Sequence, residues 1–365
     1  EDDNIAIGYN ALGDLNHASS VKNIAIGSTA GDGMGTLAGS TDNIFLGYSA
    51  GGGTWTTAVS LRNIGIGTNV LNDAMNGAVD NIGIGYNTLA NVTTGDFNTA
   101  VGSQSGVQLA GGSGNVLMGY QAGDALAGGD DNILIGNGAG ITTTAGTNMT
   151  IVGKGAGAAV ITAAAAGTVA YGYEAHAGLT SGAKNTSLGY RAGKDVTTAF
   201  NNVFVGYQAG EHHLTGSRNI AIGALAMGDT DAGSNSKDSS DNIFIGNVAG
   251  GGTWHNSVCS ANIGIGHGVM DAIIQAAENN VGIGHNAMTA LTTGDQNVAI
   301  GRNAGAAITS GEDNVLLGDG AGDNMGTQSQ CVLIGRDAGT AINHSGGANA
   351  INGQAGSENN TDNSA

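Results

Sequence analysis

One five-residue run, Asn-Ile-x-Ile-Gly, constrains this chain more than anything else in it. It opens as Asn4-Ile5-Ala6-Ile7-Gly8 and returns at Asn23, Asn43, Asn63, Asn81, Asn98, Asn115 and Asn132. Degenerate copies start at Met149 and Thr168. The run resumes at Asn185, Asn202, Asn219, Asn242, Asn262, Asn280, Asn297 and Asn314, then Cys331 and Asn349. The commonest interval among these twenty copies is 17 residues and the longest is 23. A short unit repeated along a chain is the mark of a stacked architecture, in which each unit buries its apolar side against its neighbours. A second period of 199 residues lies over the first: it separates Asn43 from Asn242, Trp55 from Trp254 and Asn115 from Asn314. Duplication of an eleven-copy block accounts for it. The expected organisation is one continuous domain over 1–356, made of two tandem super-repeats with the second starting near residue 202, and a polar tail over 357–365.

Seventeen residues are too few for a helical hairpin repeat, which takes about 34. Ile-x-Ile alternation in β-branched residues is a strand pattern. The glycine that follows lets the chain turn. The later Ala-Gly pair and the Thr/Ser/Gly/Asp stretch read as a second short strand and a turn. The expected fold is therefore all-β: a parallel β-solenoid, or β-roll, of about twenty coils, about 95 Å long at ~4.8 Å per coil. The recurrent asparagines suit a ladder of side-chain amides. Proline is absent and glycine numbers 68 of 365 residues, as expected of a chain that spends nearly every backbone N–H on a ladder.

The central residue of the pentapeptide is expected to face away from the coil, because the two flanking isoleucines are assigned to the coil's own core. That position holds Phe45, Gly65, Gly83, Ala100, Leu117, Leu134 and Ile151, and 199 residues later Phe244, Gly264, Gly282, Ala299, Leu316, Leu333 and Ile351. A strand dry on both faces needs a partner. These fourteen residues are thus expected to line the axis of a homo-oligomer, with three chains favoured by geometry.

The Asn-Ile-Ala-Ile-Gly motif resembles the head repeats of YadA-like trimeric autotransporter adhesins. Arrays of Asn-Ile-x-Ile-Gly with a following Tyr and Ala-Gly are similar to bacteriophage tail-fibre repeats. The resemblance covers all twenty copies. It implies a left-handed, trimeric, parallel β-roll used for attachment at a cell or virion surface, hence an extracellular location. The coil near 17 residues is longer than the adhesin repeat, and neither a neck nor a coiled-coil stalk nor a membrane anchor is visible, which favours a viral or free fibre.

Charge and composition narrow the partners. With 29 acidic and 10 basic residues the formal net charge is −19, which opposes binding to phosphate backbones. No run of about 18 apolar residues suggests membrane insertion. The chain begins at Glu1, so a processed chain or a fragment is expected. The eight histidines are scattered over seven coils, His212 and His213 sharing one, without metal-ligand spacing, and no cofactor, metal or catalytic residue is expected. Cys259 and Cys331 are about four coils apart, ~19 Å, too far to pair. Trp55 and Trp254 occupy equivalent long stretches. They are the candidate contacts for a host glycan or receptor, stacking on a sugar ring, against the reading that each covers its own loop. The expected function is a non-enzymatic structural fibre or adhesin. A self-assembling filament with end-to-end stacking and a glycan-processing tailspike are the alternatives.

Overall fold

The computed structural model describes residues 3–339, apart from 16–18, 37–38, 56–57, 231–237, 255–256 and 273, together with 349–352. The polar tail over 357–365 and the side chain of Ile351 lie outside the described residues. Two compact units are delimited, Glu1–Lys184 and Asn185–Ala365. The first holds ten strands from β1 (Ile5–Ile7) to β10 (Val169–Tyr171), the second ten from β11 (Thr186–Leu188) to β20 (Asn349–Asn352). Within each unit every strand pairs in parallel with the next copy of itself, motif on motif. Ile82, Gly83 and Ile84, for example, face Thr99, Ala100 and Val101, and Val298, Ala299 and Ile300 face Val315, Leu316 and Leu317. This is the all-β parallel solenoid that the repeat predicts. Among the described residues helix takes the form of short 3-10 segments, such as Asp32–Thr36 and Ala163–Ala165.

The rest of each coil differs from expectation. Among the described residues no second strand follows the Ala-Gly pair; consecutive turns take its place. The cause is local. Side chains stand in the left-handed region at alternating positions, such as Asn87 (φ 50°) and Leu89 (φ 49°), and alternating left-handed residues cannot run as a strand. The turns still stack. Asn87 N–H donates to Thr68 O at 3.0 Å, Leu89 N–H to Ser105 O at 3.0 Å and Asn91 N–H to Val107 O at 3.1 Å. The backbone of a coil is thus paired above and below even where no strand exists.

The asparagine ladder forms, and it does two things. Asn98 Oδ1 accepts from both the backbone N–H and the Nδ2 of Asn115, each at 3.0 Å. Asn98 Nδ2 donates to Gly112 O at 2.8 Å, so the same side chain closes its own coil. These amides are fully buried. Where Met149 and Cys331 occupy the slot, their N–H groups still donate to Asn132 Oδ1 and Asn314 Oδ1. Asn115→Ala is expected to strand the buried N–H of Asn132 and the carbonyl of Gly129, which Asn115 now satisfies. At about 1–3 kcal/mol for each orphaned group, the loss is a few kcal/mol. Native-state hydrogen exchange at Asn132 would report it as lost protection.

The inside and outside of the strand are reversed relative to the sequence reading. Phe45, Gly65, Gly83, Ala100, Leu117, Leu134 and Ile151 are all buried inside their own coil, and so are Phe244, Gly264, Gly282, Ala299, Leu316 and Leu333. They are core residues and line no axis between chains. The reason is parity. The ladder asparagine points inward, and the central residue, two positions on, shares its face. The flanking Ile, Val and Thr therefore point out.

The order of large and small central residues follows from packing within the coil. Six residues further on, the chain again points into the core from a left-handed position. Coils with a central glycine carry a large side chain there: Gly65 goes with Leu71, Gly83 with Leu89, Gly264 with Met270 and Gly282 with Met288, all four buried. Coils with a large central residue carry glycine, as in Phe45 with Gly51 and Phe244 with Gly250. A Cβ on Gly51 would lie 2.7 Å from the Phe45 ring. The two positions share one volume, filled from one side or the other.

Candidate functional site

Trp55 and Trp254 are fully buried, which removes them as ligand contacts. Each is an edge-on neighbour of the phenylalanine in its own coil. The ring centroids are 6.0 Å apart for Phe45 and Trp55 and 5.8 Å for Phe244 and Trp254. Trp254 Nε1 donates to Gly250 O at 3.1 Å. The two longest-looking stretches are thus filled from inside by an aromatic pair.

The outward face of the strands is the largest uniform surface. Its first column runs Ile5, Ile24, Ile44, Ile64, Ile82 and onward; its second runs Ile7, Ile26, Leu46, Ile66, Ile84 and onward. Threonine enters at Thr99, Thr150 and Thr186 and tyrosine at Tyr171, and no charged residue enters either column of the described strands. The side chains are half-buried to exposed, as with Ile84 at 37%, Ile300 at 40% and Ile7 at 58%. Three residues by ten coils give a strip of roughly 480 Å² per unit, the size of the largest apolar patch on a typical monomer (about 300–600 Å²), which is often functional.

Beyond the corner glycine, two further outward columns are polar or aromatic. Tyr9, Tyr48, Tyr86, Tyr120 and Tyr207 are prominent members. In the second unit the same column places Tyr190 and Tyr207 in parallel stacking at 5.3 Å, with the Arg191 guanidinium 5.2 Å from the Tyr190 ring, and His267 and His285 in parallel stacking at 5.0 Å. Charges nearby are paired from coil to coil. Arg62 with Asp80, Arg218 with Asp241 and Arg302 with Asp319 form two-pronged pairs at 2.6–3.0 Å. The arginine's hydrogen bonds hold each of these aspartates below the usual carboxylate range. Asp32, Asp124, Asp271 and Asp323 are shifted the other way, by burial first.

Among the histidines His213 stands apart. It fills the inward slot that Leu109, Leu126 and Leu179 fill in other coils, and it is fully buried. Its Nδ1 meets Thr230 Oγ1 at 3.0 Å, and its Nε2 meets Gly216 O at 2.7 Å and Asn219 Nδ2 at 3.1 Å. Burial lowers its pKa to about 4. The unfolded chain takes up this proton near pH 6.5, the folded chain only near pH 4. The folded state therefore keeps this stability above pH 6.5 and loses it as pH falls toward 4, by about 3 kcal/mol at most. Thermal melting of the wild type should fall more steeply between pH 6.5 and 4.5 than that of His213→Leu; equal slopes would refute the assignment.

Cys259 and Cys331 are both buried thiols outside any disulfide, and burial pushes the Cys259 thiol up to about 11. Among the described residues no group of three or more His, Cys, Asp or Glu side chains is arranged to hold a metal ion. No helix among them is long and apolar enough to cross a membrane. Neither a family model nor a curated protein matches the chain.

Proposed function

We propose that this chain is a structural fibre or adhesin, a homotrimer that projects from a virion or cell surface and presents its loops and the polar and aromatic columns beyond the corner glycine to a host receptor or glycan. The observation that carries this reading is the charge-free double column of Ile, Val and Leu on the outward strand face. Water-facing strands ordinarily alternate with polar residues; this one is aliphatic inside and out, as a strand covered by sister chains would be. Association of three chains along their outward columns would convert single-chain coils, each with only three residues of strand, into one stiff rod. The buried ladder and the filled coil core support a mechanical role, since the coils that carry the ladder asparagine are tied to their neighbours through backbone and side chain alike. Sedimentation equilibrium tests the reading: a mass three times that of the chain, unchanged by moderate salt, is expected. A monomer at micromolar concentration would overturn it.

A further inference from the structure

The column just beyond the corner glycine alternates through the first seven coils of the first unit. Tyr9, Tyr48, Tyr86 and Tyr120 occupy every second coil, with Ser28, Thr68 and Ser103 between them. The register is fixed by backbone bonds, for example Asn69 N–H to Tyr48 O, Asn87 N–H to Thr68 O and Gln104 N–H to Tyr86 O. The tyrosines are 76%, 56%, 50% and 47% exposed.

Spacing gives the comb its meaning. Tyrosines on consecutive coils, Tyr190 and Tyr207, stack at 5.3 Å. Skipping a coil opens the separation to about 10 Å at ~4.8 Å per coil. That leaves room for one further ring about 5 Å from the face of each tyrosine, inside the ~4.5–7 Å range of ring stacking. A serine or threonine hydroxyl forms the floor of each slot. Alongside runs the next column, which over the same coils is Asn10, Thr29, Ser49, Asn69, Asn87, Gln104 and Gln121. Neither column holds a charge in these coils, although the chain carries −19. Asn69 and Asn87 also border an open groove of about 470 Å³ that Asn72, Asp73, Asn91 and Gln108 continue.

The 199-residue duplication gives an internal control. Phe45, Gly65, Gly83 and Leu117 recur inside the second copy as Phe244, Gly264, Gly282 and Leu316. Beyond its first tooth, Tyr9, which keeps a counterpart in Tyr207, the comb does not recur: Tyr48, Thr68, Tyr86, Ser103 and Tyr120 become Asn247, His267, His285, Arg302 and Asp319. The core is retained and this column is rewritten, so the alternation is no by-product of folding.

We infer that the slots between Tyr9, Tyr48, Tyr86 and Tyr120 bind a neutral polysaccharide, alternate sugar rings entering successive slots while the amides of the flanking column take their hydroxyls. The apolar faces of a sugar suit aromatic walls, its hydroxyls suit Ser, Thr, Asn and Gln, and a linear polymer engages several weak slots at once. The site deepens, and rests on, the attachment role proposed above.

Affinity electrophoresis of the full chain through gels containing dextran, mannan, laminarin or the anionic polymer alginate tests it. At least one neutral polymer should retard the wild type and alginate should not. Tyr48→Ala and Tyr86→Ala should each weaken retardation about tenfold. Thr68→Tyr is the sharper variant, because it adds an aromatic ring yet closes two slots into a continuous stack like Tyr190 on Tyr207; it should also weaken binding about tenfold. Tyr207→Ala should change nothing. Retention of binding by Thr68→Tyr, retardation by alginate alone, or no retardation by any neutral polymer would overturn the slots. Cell-attachment assays separate the two levels. If slot variants decorate host cells as well as the wild type, the slots fail and the attachment role stands; if the wild type decorates no cell, the role itself fails.

Discussion

Ala100→Asp is expected to prevent its coil from closing, whereas Val101→Asp, one residue on, is expected to leave the coil folded and release the chain from its partners. Ala100 is fully buried and faces Gly83 and Leu117 across the ladder. A carboxylate there meets only the coil's own apolar core, and an unpaired buried charge costs at least about 3–5 kcal/mol. Circular dichroism should show loss of the strand signal or a large drop in melting temperature at any protein concentration. Val101 belongs to the outward column, half-buried in the single chain. An aspartate there stays hydrated in the monomer, so the coil survives. In the trimer three such carboxylates would be desolvated together, one on each chain. Sedimentation should therefore find folded monomers. If Val101→Asp still sediments as a trimer, the aliphatic columns are not the contact between chains. If Ala100→Asp folds normally, the inward assignment of the central residue is wrong.

That pair of substitutions also shows what the sequence made legible. The repeat, the parallel solenoid and the asparagine ladder all follow from Asn-Ile-x-Ile-Gly and its interval. The inside and outside of the strand were equally readable, though from a different residue. An amide ladder on the wet side would compete with water for every bond, so the asparagine had to be inside, and parity carries Phe45 and Ala100 in with it. Taking isoleucine as the core residue ignored that Gly65 and Gly83 leave room which Leu71 and Leu89 fill. The turns were harder to see, because nothing in the residue type of Leu89 announces a left-handed backbone; only the demand for volume beside Gly83 puts it there. Trp55 illustrates the same limit, since a large aromatic in a long stretch looks exposed until Phe45 is found edge-on to it. The tyrosine comb was present in the sequence throughout. Intervals of 17 to 20 residues hide it until the ladder aligns Tyr48, Thr68 and Tyr86.

Gly119→Ala is expected to be strongly damaging, and Gly128→Ala, in the same coil, among the mildest single-methyl additions. Gly119 ends its strand with φ at 130°, a conformation that an L side chain adopts only at a cost of about 1–3 kcal/mol. A Cβ there would also lie 2.6 Å from the carbonyl oxygen and 2.7 Å from the carbonyl carbon of Gly136 on the next coil. Backbone cannot swing aside as a side chain can, so relief requires the coils to separate. That would loosen the bonds from Gly119 N–H to Val101 O and from Gly136 N–H to Met118 O, both 2.8 Å. Strain and lost ladder together come to several kcal/mol. Gly128 has an ordinary φ and nothing within 4 Å of where its Cβ would be, so its substitution should be neutral or stabilise by up to about 1 kcal/mol through the unfolded chain. Denaturant midpoints of the two variants should differ widely, with Gly119→Ala well below the wild type and Gly128→Ala at or slightly above it. Equal midpoints would mean that the close stacking of corner glycines, on which the spacing of every column depends, does not exist in solution.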